Sequence, residues 1–353
     1  MGTREYDAGV AEFINDNPDA SIETLTLRFP DADVWTIRSL RRQIRRDLAF
    51  GAQEDAVEDV EISGLSKSAM TVLRSGFVRP VSVQLTERPK PKPLFKKAGF
   101  QMLVISDLHA PDVDVNALDV AIQIGQANDL DALTIAGDGF DCHSLSRYTP
   151  SAQRPFRWVD ERTEALKTFV AVRESFPDTD IYWLNGNHDI RPNTFLASQA
   201  PQLQGLFTLE QLLGITDLGF IFPEDNRLVL ADNQLLIKHG TTVSGEAGAS
   251  AAKEVRKHGM SVIMGHVHRL AYSPVTKTSQ QVVGEQPHVG VELGCLANLR
   301  PDYLVAEETA NWQQGCAMVT IYDSGLFHVE LIPIFAGHGF FRGRVFRSRW
   351  MGK

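Results

Sequence analysis

Five short apolar runs in the central part of the chain are each followed closely by aspartate, asparagine or histidine. The runs and the polar residues after them are Met102–Ser106 with Asp107 and His109, Ala132–Ala136 with Asp138, Ile181–Leu184 with Asn187 and His188, Gln234–Lys238 with His239, and Ser261–Met264 with His266 and His268. Stretches of helical pattern, such as Val113–Ala127 and Arg157–Ser175, alternate with the runs and predict βαβ units in a largely parallel sheet. Because such sheets form ligand crevices at the carboxyl ends of their strands, we expect these polar side chains to converge.

The converging side chains favour a metal site of a particular kind. Carboxylate, amide and imidazole donors suit a hard to borderline divalent ion, with manganese as the first choice and iron, zinc, cobalt or nickel as alternatives. Because there are more such donors than one ion needs, we expect two ions that share a carboxylate. Disulfide and thiolate-metal chemistry are disfavoured because the three cysteines, Cys142, Cys295 and Cys316, stand at scattered spacings.

The order of these blocks is similar to the signature of a known enzyme family. Asp-x-His, Gly-Asp, Gly-Asn-His-Asp, His and Gly-His-x-His follow one another from Asp107 to His268, as in calcineurin-like metallophosphoesterases. The segment Cys142–Tyr148 looks most like the family members carried by bacteriophages and prophages. The resemblance implies an α/β fold, a four-layer α/β/β/α sandwich with two mixed sheets flanked by helices. It also implies hydrolysis of phosphate esters at a centre of two divalent metal ions.

The same resemblance implies a role for each matched residue. The ligands of the first metal ion would be Asp107, His109 and His268, and those of the second would be Asn187, His239 and His266. Asp138 would bridge both ions, and His188 would be the catalytic acid beside the leaving oxygen. Tight turns are expected at Gly137, Gly186, Gly240 and Gly265, since the backbone must bend sharply to aim each ligand.

The chain departs from one branch of the family at the second block. Phosphoprotein phosphatases continue Gly-Asp-x-x-Asp with Arg-Gly, whereas Cys142 and His143 stand here, which disfavours a protein phosphatase. The candidate contacts to substrate phosphate are Arg191, His143 and Arg147. Arg191 suits bidentate binding of phosphate, although a surface ion pair is an equally good interpretation. Asp141 is a candidate for orienting a ligand histidine from behind.

Residues 1 to 50 predict a small helical module. Its three helices are expected at Glu5–Asp16, Ser21–Phe29 and Val34–Ala49. The third carries five arginines, Arg38, Arg41, Arg42, Arg45 and Arg46. This pattern resembles a helix-turn-helix whose last helix enters a DNA groove. The alternative is an interaction bundle with a solvated arginine face, which could mediate homo-oligomerisation.

Two further segments have a distinctive composition. Residues 51–98 predict a linker with a hairpin at Val78–Leu85 and an extended Pro-Lys spacer at Arg88–Pro93, which leaves residues 99–353 as the phosphoesterase domain.

The C-terminal region interleaves cations and aromatics, namely Arg342, Arg344, Arg347, Arg349 and Lys353 with Phe340, Phe341, Phe346 and Trp350. Such a region suits single-stranded nucleic acid. The alternative is an edge strand with its aromatics inward and its arginines outward.

Composition narrows the function classes. The 353 residues are 43% hydrophobic and can form a sizeable core, and the sequence contains neither a membrane-length apolar run nor a signal-like N-terminus. A soluble, cytoplasmic protein is expected. The formal charge of −9 disfavours a surface that coats nucleic acid and leaves room only for a local basic face.

Three functions are consistent with these features. The first hypothesis is hydrolysis of a nucleic-acid phosphodiester or terminal phosphate, with the N-terminal module docking on DNA. The second is a small-molecule phosphatase or cyclic-nucleotide phosphodiesterase. The third is a DNA-binding regulator with a non-catalytic phosphoesterase domain, which the retention of every motif ligand disfavours.

Overall fold

The computed structural model describes residues 3–17, 22–30, 99–147, 157–276, 286–300 and 311–351. The chain divides into two compact units, Met1–Gly76 and Phe77–Lys353. The predicted third helix with its five arginines, the hairpin and the Pro-Lys spacer lie outside the described residues. The helix-turn-helix, the linker and the domain limits at residues 50 and 98 therefore stay predictions.

The described part of the first unit consists of two helices. These are α1 (Thr3–Asp16) and α2 (Ile22–Arg28), each within two residues of its predicted bounds. Val10, Ile14 and Leu25 are fully buried. The rings of Phe13 and Phe29 meet edge to face with centroids 5.6 Å apart, which ties the end of α2 to α1.

The second unit contains two mixed sheets. The seven-stranded sheet has the order β12-β11-β10-β9-β1-β2-β3. Its strands are β1 (Phe100–Ile105), β2 (Ala132–Ala136), β3 (Asp180–Leu184), β9 (Gln314–Ile321), β10 (Phe327–Phe335), β11 (His338–Phe341) and β12 (Arg344–Arg347). The five-stranded sheet has the order β4-β5-β6-β8-β7. Its strands are β4 (Leu228–Leu230), β5 (Leu235–Lys238), β6 (Ser261–Met264), β7 (Leu270–Val275) and β8 (His288–Leu293).

The helices of this unit are α3 (Val115–Ala127), α4 (Trp158–Ser175), α5 (Arg191–Gln199), α6 (Leu209–Leu213) and α7 (Ala249–His258), with single 3-10 turns at His143–Leu145, Pro201–Leu203 and Thr216–Leu218. α3 and α4 cover the outer face of the seven-stranded sheet, and α7 covers the outer face of the five-stranded sheet. Asp114 caps α3 by accepting the N–H groups of Asn116 and Ala117, and Thr208 forms a capping box with Gln211 on α6. None of the helices in the described ranges is long and apolar enough to cross a lipid bilayer.

Three apolar clusters hold the layers together. One lies between α3, α4 and the seven-stranded sheet, and another lies between the two sheets. A third, which includes Leu236, Val255 and Met264, lies between α7 and the five-stranded sheet. The predicted mixed α/β fold with two sheets is confirmed.

The parallel pairing is confined to one end of the seven-stranded sheet and to the middle of the five-stranded sheet. β1, β2 and β3 are parallel, as are β5, β6 and β8, whereas every other pair is antiparallel. The expectation of a largely parallel sheet was wrong for β9 to β12 in the first sheet and for β4 and β7 in the second. The last strands follow one another through short turns, and such turns join antiparallel neighbours. The parallel strands place the carboxyl ends of β1, β2 and β3 at one sheet edge.

A tryptophan on β3 organises the aromatic core next to this edge. Trp183 is fully buried, and its ring centroid lies 4.8 Å from that of Phe169 and 5.7 Å from that of Phe220.

We expect Trp183→Ala to lower the free energy of unfolding by about 3–5 kcal/mol, because the empty cavity and the lost ring contacts both destabilise the fold. Denaturant unfolding measures this. Trp183→Phe should cost less, and Tyr322→Ala, at a ring that is 42% exposed, should cost about 0.5 kcal/mol or less. Equal losses in all three variants would contradict the packing argument.

Candidate metal centre

Loops after five strands bring seven side chains to one place. Asp107 and His109 follow β1, Asp138 follows β2, Asn187 follows β3, His239 follows β5, and His266 and His268 follow β6. Two groups of three donors form, each with its ligand atoms within 4.8 Å of one another, namely Asp107 with His109 and His268, and Asp138 with His239 and His266. Asn187 joins the second group through its Oδ1, which is 3.3 Å from His239 Nε2.

The first group is tightly packed. His268 Nε2 lies 3.1 Å from both Asp107 Oδ1 and His109 Nε2. Asp107 also accepts the hydroxyl of Ser106 at 2.5 Å and the backbone N–H of His266 at 3.0 Å, so the carboxylate is fixed from two sides. Two ring nitrogens and a carboxylate oxygen directed at one point form a donor set that fits a divalent cation.

Asp138 lies between the two groups. Its Oδ1 accepts the backbone N–H of His188 at 2.8 Å, which fixes the carboxylate plane. Its Oδ2 is 3.2 Å from His239 Nε2 in the second group and 3.9 Å from His109 Nε2 in the first. One oxygen atom thus faces both groups while the other is held by the backbone.

Most of these donors sit on strained backbone. Left-handed φ angles occur at Asp107 (52°), His109 (47°), Asp138 (48°), His266 (71°) and His268 (55°). For a residue other than glycine, this left-handed conformation costs on the order of 1–3 kcal/mol. The conformation persists only where the surrounding structure enforces it. Backbone hydrogen bonds from Asp107 N to Gly137 O (3.0 Å) and from His109 N to Asp138 O (2.9 Å) hold the loops in this shape.

Two glycines leave room for the carboxylates. A Cβ at Gly186 would lie 2.0 Å from Asp138 Oδ1, and one at Gly265 would lie 2.3 Å from Asp107 Oδ2. Gly137 and Gly240 instead have φ angles of 92° and 101°. The turn interpretation of the four glycines therefore fits Gly137 and Gly240, whereas Gly186 and Gly265 are needed for close approach.

We expect Gly186→Ala to displace the Asp138 carboxylate and lower the bound metal below that of the unaltered protein. Elemental analysis after dialysis measures the metal content. Gly245→Ala is the matched control, because a Cβ there meets nothing within 4 Å. Full metal content in Gly186→Ala would show that the loop can yield, and that the close approach is not required.

The buried charges set the protonation of the donors. Burial opposes ionisation of His239, but the neighbouring Asp138 carboxylate outweighs it and raises the pKa of His239 to about 10. Burial lowers the pKa of His109, and burial together with the positive charge of His239 lowers the pKa of His266. His109 and His266 therefore keep free ring lone pairs at neutral pH, whereas His239 carries a proton that a metal ion must displace.

This difference predicts proton release on metal binding. Below pH 10 the metal-free His239 is protonated, so binding at pH 7.5 should release about one proton, and affinity should rise as the pH rises towards 10. Calorimetric titration in buffers of different ionisation enthalpy counts the protons. His239→Gln should release fewer, whereas His328→Asn, at an exposed histidine, should match the unaltered protein. Binding enthalpies that do not depend on the buffer would contradict the protonated state of His239.

His188 lies beside the donor groups and is held by Asp141. Asp141 Oδ1 is 2.8 Å from His188 Nδ1 and 3.3 Å from His109 Nδ1, so one carboxylate orients two histidines. Arg191, at the start of α5, donates to the backbone oxygen of Asp141 at 2.8 Å. Its Nη2 lies 3.0 Å from His188 Nε2. Of the three predicted phosphate contacts, Arg191 is thus brought next to His188.

His143 and Arg147 are placed differently. His143 is buried, and its Nδ1 is 2.9 Å from the fully buried Glu161 of α4. Glu161 also accepts the backbone N–H groups of His143 and Ser144 at 2.7 and 2.9 Å. Arg147 is exposed at the end of a described segment. Contact of His143 or Arg147 with substrate stays a prediction.

Three residues at the site were not predicted. Glu161 gave no signal, because an acid on an amphipathic helix is usually solvated. Asp189 is buried and accepts the backbone N–H groups of Phe140 and Gly186, each at 2.8 Å, so it joins the loops after β2 and β3. The sequence signal for this role was the last position of the Gly-Asn-His-Asp block. The ring of Trp312 meets His268 edge to face at 4.4 Å, but it is too far along the chain for a local pattern.

Comparison with known proteins agrees with this geometry. Residues 100–270 match the family profile described as Calcineurin-like phosphoesterase. The gene 54 proteins of Mycobacterium phages D29 and L5 are each 28% identical over 258 residues, which cover 69% of this chain and 98% of theirs. A metallophosphoesterase structure from Sphaerobacter thermophilus aligns at 14% identity over 67% of this chain and 89% of its own, with a TM-score of 0.36.

The chain contains a calcineurin-like phosphoesterase domain at residues 100–270, and the resemblance to phage proteins is confirmed. The domain is that of a metal-dependent phosphoester hydrolase.

Proposed function

We propose that the domain hydrolyses a phosphodiester or terminal phosphate of nucleic acid with two bound divalent ions, manganese first among them. The observation that carries the proposal is the junction at Asp138, where a single carboxylate oxygen faces both groups of donors. The residues that would hold the ions are Asp107, His109 and His268 on one side, Asn187, His239 and His266 on the other, and Asp138 between them. When bound, two such ions supply charge stabilisation for the phosphate and an activated water.

His188 supplies the proton for the leaving oxygen. Burial alone would lower the pKa of His188, but its hydrogen bond to Asp141 raises the pKa above the ordinary value for histidine. Asp141 occupies Nδ1 and leaves Nε2 directed to where Arg191 Nη2 lies. An entering phosphate oxygen would accept hydrogen bonds from both groups. Arg191 would then hold the phosphate while Nε2 gives its proton to the departing oxygen.

One feature disfavours a protein phosphatase, and another favours nucleic acid over a small phosphate ester. The arginine that follows the second block in phosphoprotein phosphatases is replaced here by Cys142 and His143, which disfavours a phosphoprotein substrate. Arginines cluster in two segments of an otherwise acidic chain, at positions 38–46 and 342–349. Docking on DNA by the first cluster belongs to the same proposal, since several phosphate contacts dominate the affinity of such proteins.

A substrate panel with added Mn²⁺ tests the proposal. The panel comprises bis-p-nitrophenyl phosphate, p-nitrophenyl phosphate, cyclic nucleotides, and single-stranded and duplex DNA. Turnover of an oligonucleotide with the highest kcat/KM supports it. Turnover confined to the small esters or cyclic nucleotides would replace it with the small-molecule phosphatase or diesterase. Absence of turnover with every substrate and with Mn²⁺, Fe²⁺, Zn²⁺, Co²⁺ and Ni²⁺ would favour a regulator with a non-catalytic domain.

Variants of His188 and Asp138 separate the proton donor from the ligands. His188→Ala should lower kcat by roughly 10²- to 10⁴-fold, as expected for loss of an acid, while both ions stay bound. Asp138→Asn should lower the metal content as well as the activity, because the shared carboxylate loses its charge. Loss of metal in His188→Ala would make His188 a ligand. Full metal content in Asp138→Asn would show that Asp138 does not bridge the ions.

A further inference from the structure

The seven-stranded sheet leaves part of one face uncovered at its β12 end. On β11 and β12, Phe341 and Phe346 are buried against α3, on the face covered by helices. The opposite face of the central strands is covered by the five-stranded sheet. At the β12 end that face leaves Phe335, Phe340 and Val345 exposed by 56%, 54% and 62%. We call the residues of this face, Phe335, His338, Phe340, Val345 and Arg347, the overhang.

The expected pattern of inward aromatics and outward arginines therefore holds only in part. Phe341 and Phe346 are buried as an edge strand requires, but Phe340 and Trp350 are each 54% exposed. Adjacent exposed rings on one sheet face indicate a surface that binds a partner.

Charge indicates what kind of partner fits. No Asp or Glu follows Glu330, whereas five Arg or Lys residues do, in a chain whose net charge is −9. Arg349 pairs with Asp119 at 2.9 Å and Arg342 with Glu330 at 3.5 Å. Arg344 and Arg347 have no ion-pair partner in the part of the chain that the structure describes. Arg344 is paired with Phe341 and lies on the α3 face, whereas Arg347 lies on the overhang beside the exposed rings. An unpaired cation next to exposed rings suits a polyanion that also offers flat apolar faces.

The overhang lies at the same sheet edge as the metal centre. β10 and β12 run in the direction of β1, because each of the four intervening pairs is antiparallel. Leu331 lies level with Val104 through Ala317, so Phe335 extends about three residues beyond the end of β1, on the side of Asp107. Arg347 is level with Phe335 through His338. Four strand spacings, or about 19 Å, separate β1 from β12. Trp312, which precedes β9 and touches His268, lies between them along this edge.

We propose that single-stranded nucleic acid binds along this edge, from Arg347 past Phe335 and Trp312 to the metal centre. The inference rests on the proposed function, since it specifies the form of nucleic acid that reaches the site. Arginine side chains pair with the backbone phosphates, and aromatic rings stack on bases. Stacking on a protein ring requires an unpaired base, so the exposed rings select a single strand over a duplex.

Binding of the metal-loaded, full-length chain to a labelled phosphorothioate single strand, which resists hydrolysis, tests the proposal by fluorescence anisotropy. Arg347→Gln should make the slope of log affinity against log salt shallower by about 0.7, the value for one lost phosphate contact. Phe335→Ala should weaken binding by roughly 5- to 150-fold, as expected for one stacked base. Hydrolysis of p-nitrophenyl esters should stay unchanged in these variants, because none of them alters the metal centre.

Matched controls remove the same groups elsewhere. Arg256→Gln takes one exposed cation from α7, and Tyr322→Ala removes an exposed ring at the opposite edge of the seven-stranded sheet. Both controls should bind the single strand like the unaltered chain. Equal weakening by controls and test variants would mean that only net charge matters, and it would overturn the proposal.

Other outcomes separate this proposal from the function itself. Oligonucleotide cleavage and binding that are unaffected in the overhang variants would leave the proposed function in place and refute the binding edge. Binding that the overhang variants weaken, without cleavage of any nucleic acid, would support the edge and refute the proposed function. If the variants lose binding to phosphatidylserine vesicles and keep their affinity for the single strand, the surface binds an anionic membrane and the proposal is wrong.

Discussion

The carboxylate of Asp138 is the interaction on which the arrangement of the centre depends. It is almost completely buried, one oxygen is bound to a backbone N–H, and the other lies 3.2 Å from a protonated histidine. A buried anion is costly unless it is paired and hydrogen-bonded. The loops after β2, β3 and β5 must therefore be in place together, because one supplies the anion and the other two supply its partners. A divalent ion held by His239 and Asp138 would supply the positive charge that the proton on His239 supplies here.

The strain in these loops follows from the same requirement. Side chains that leave parallel strands in ordinary extended backbone point alternately to the two faces of the sheet. The left-handed residues break this alternation just beyond the strand ends, so that Asp107, His109 and Asp138 are aimed at one point. Their cost is offset by hydrogen bonds between the loops and by Asp189, which accepts N–H groups from two of them. Glycine at positions 186 and 265 then allows the loops to approach within contact of the carboxylates.

Sequence patterns predicted the central strands well and the outer ones poorly. Ala132–Ala136 and Ser261–Met264 have the predicted bounds, because short apolar runs between helical stretches leave little choice of register. The pairing of β9 beside β1 has no local signal, since it joins residues more than two hundred positions apart. The side chains of the two donor groups were all found from their motifs. Glu161 and Trp312 were missed because their roles come from tertiary contacts, with His143 in one case and His268 in the other.

The unequal widths of the two sheets explain why the overhang exists and where it lies. Five strands cannot cover seven, so the strands at the β12 end have helix α3 on one face and solvent on the other. Protection of an edge strand from pairing with another chain accounts for arginines on β12, because charged side chains discourage such pairing. Protection of the edge strand does not account for Phe335 and Phe340. Exposed rings raise the risk that protein molecules associate, so polar residues would be expected here if solubility were the only requirement. Because β10 ends on the side of the sheet that carries the metal centre, the exposed ring at Phe335 lies on the path proposed for the single strand.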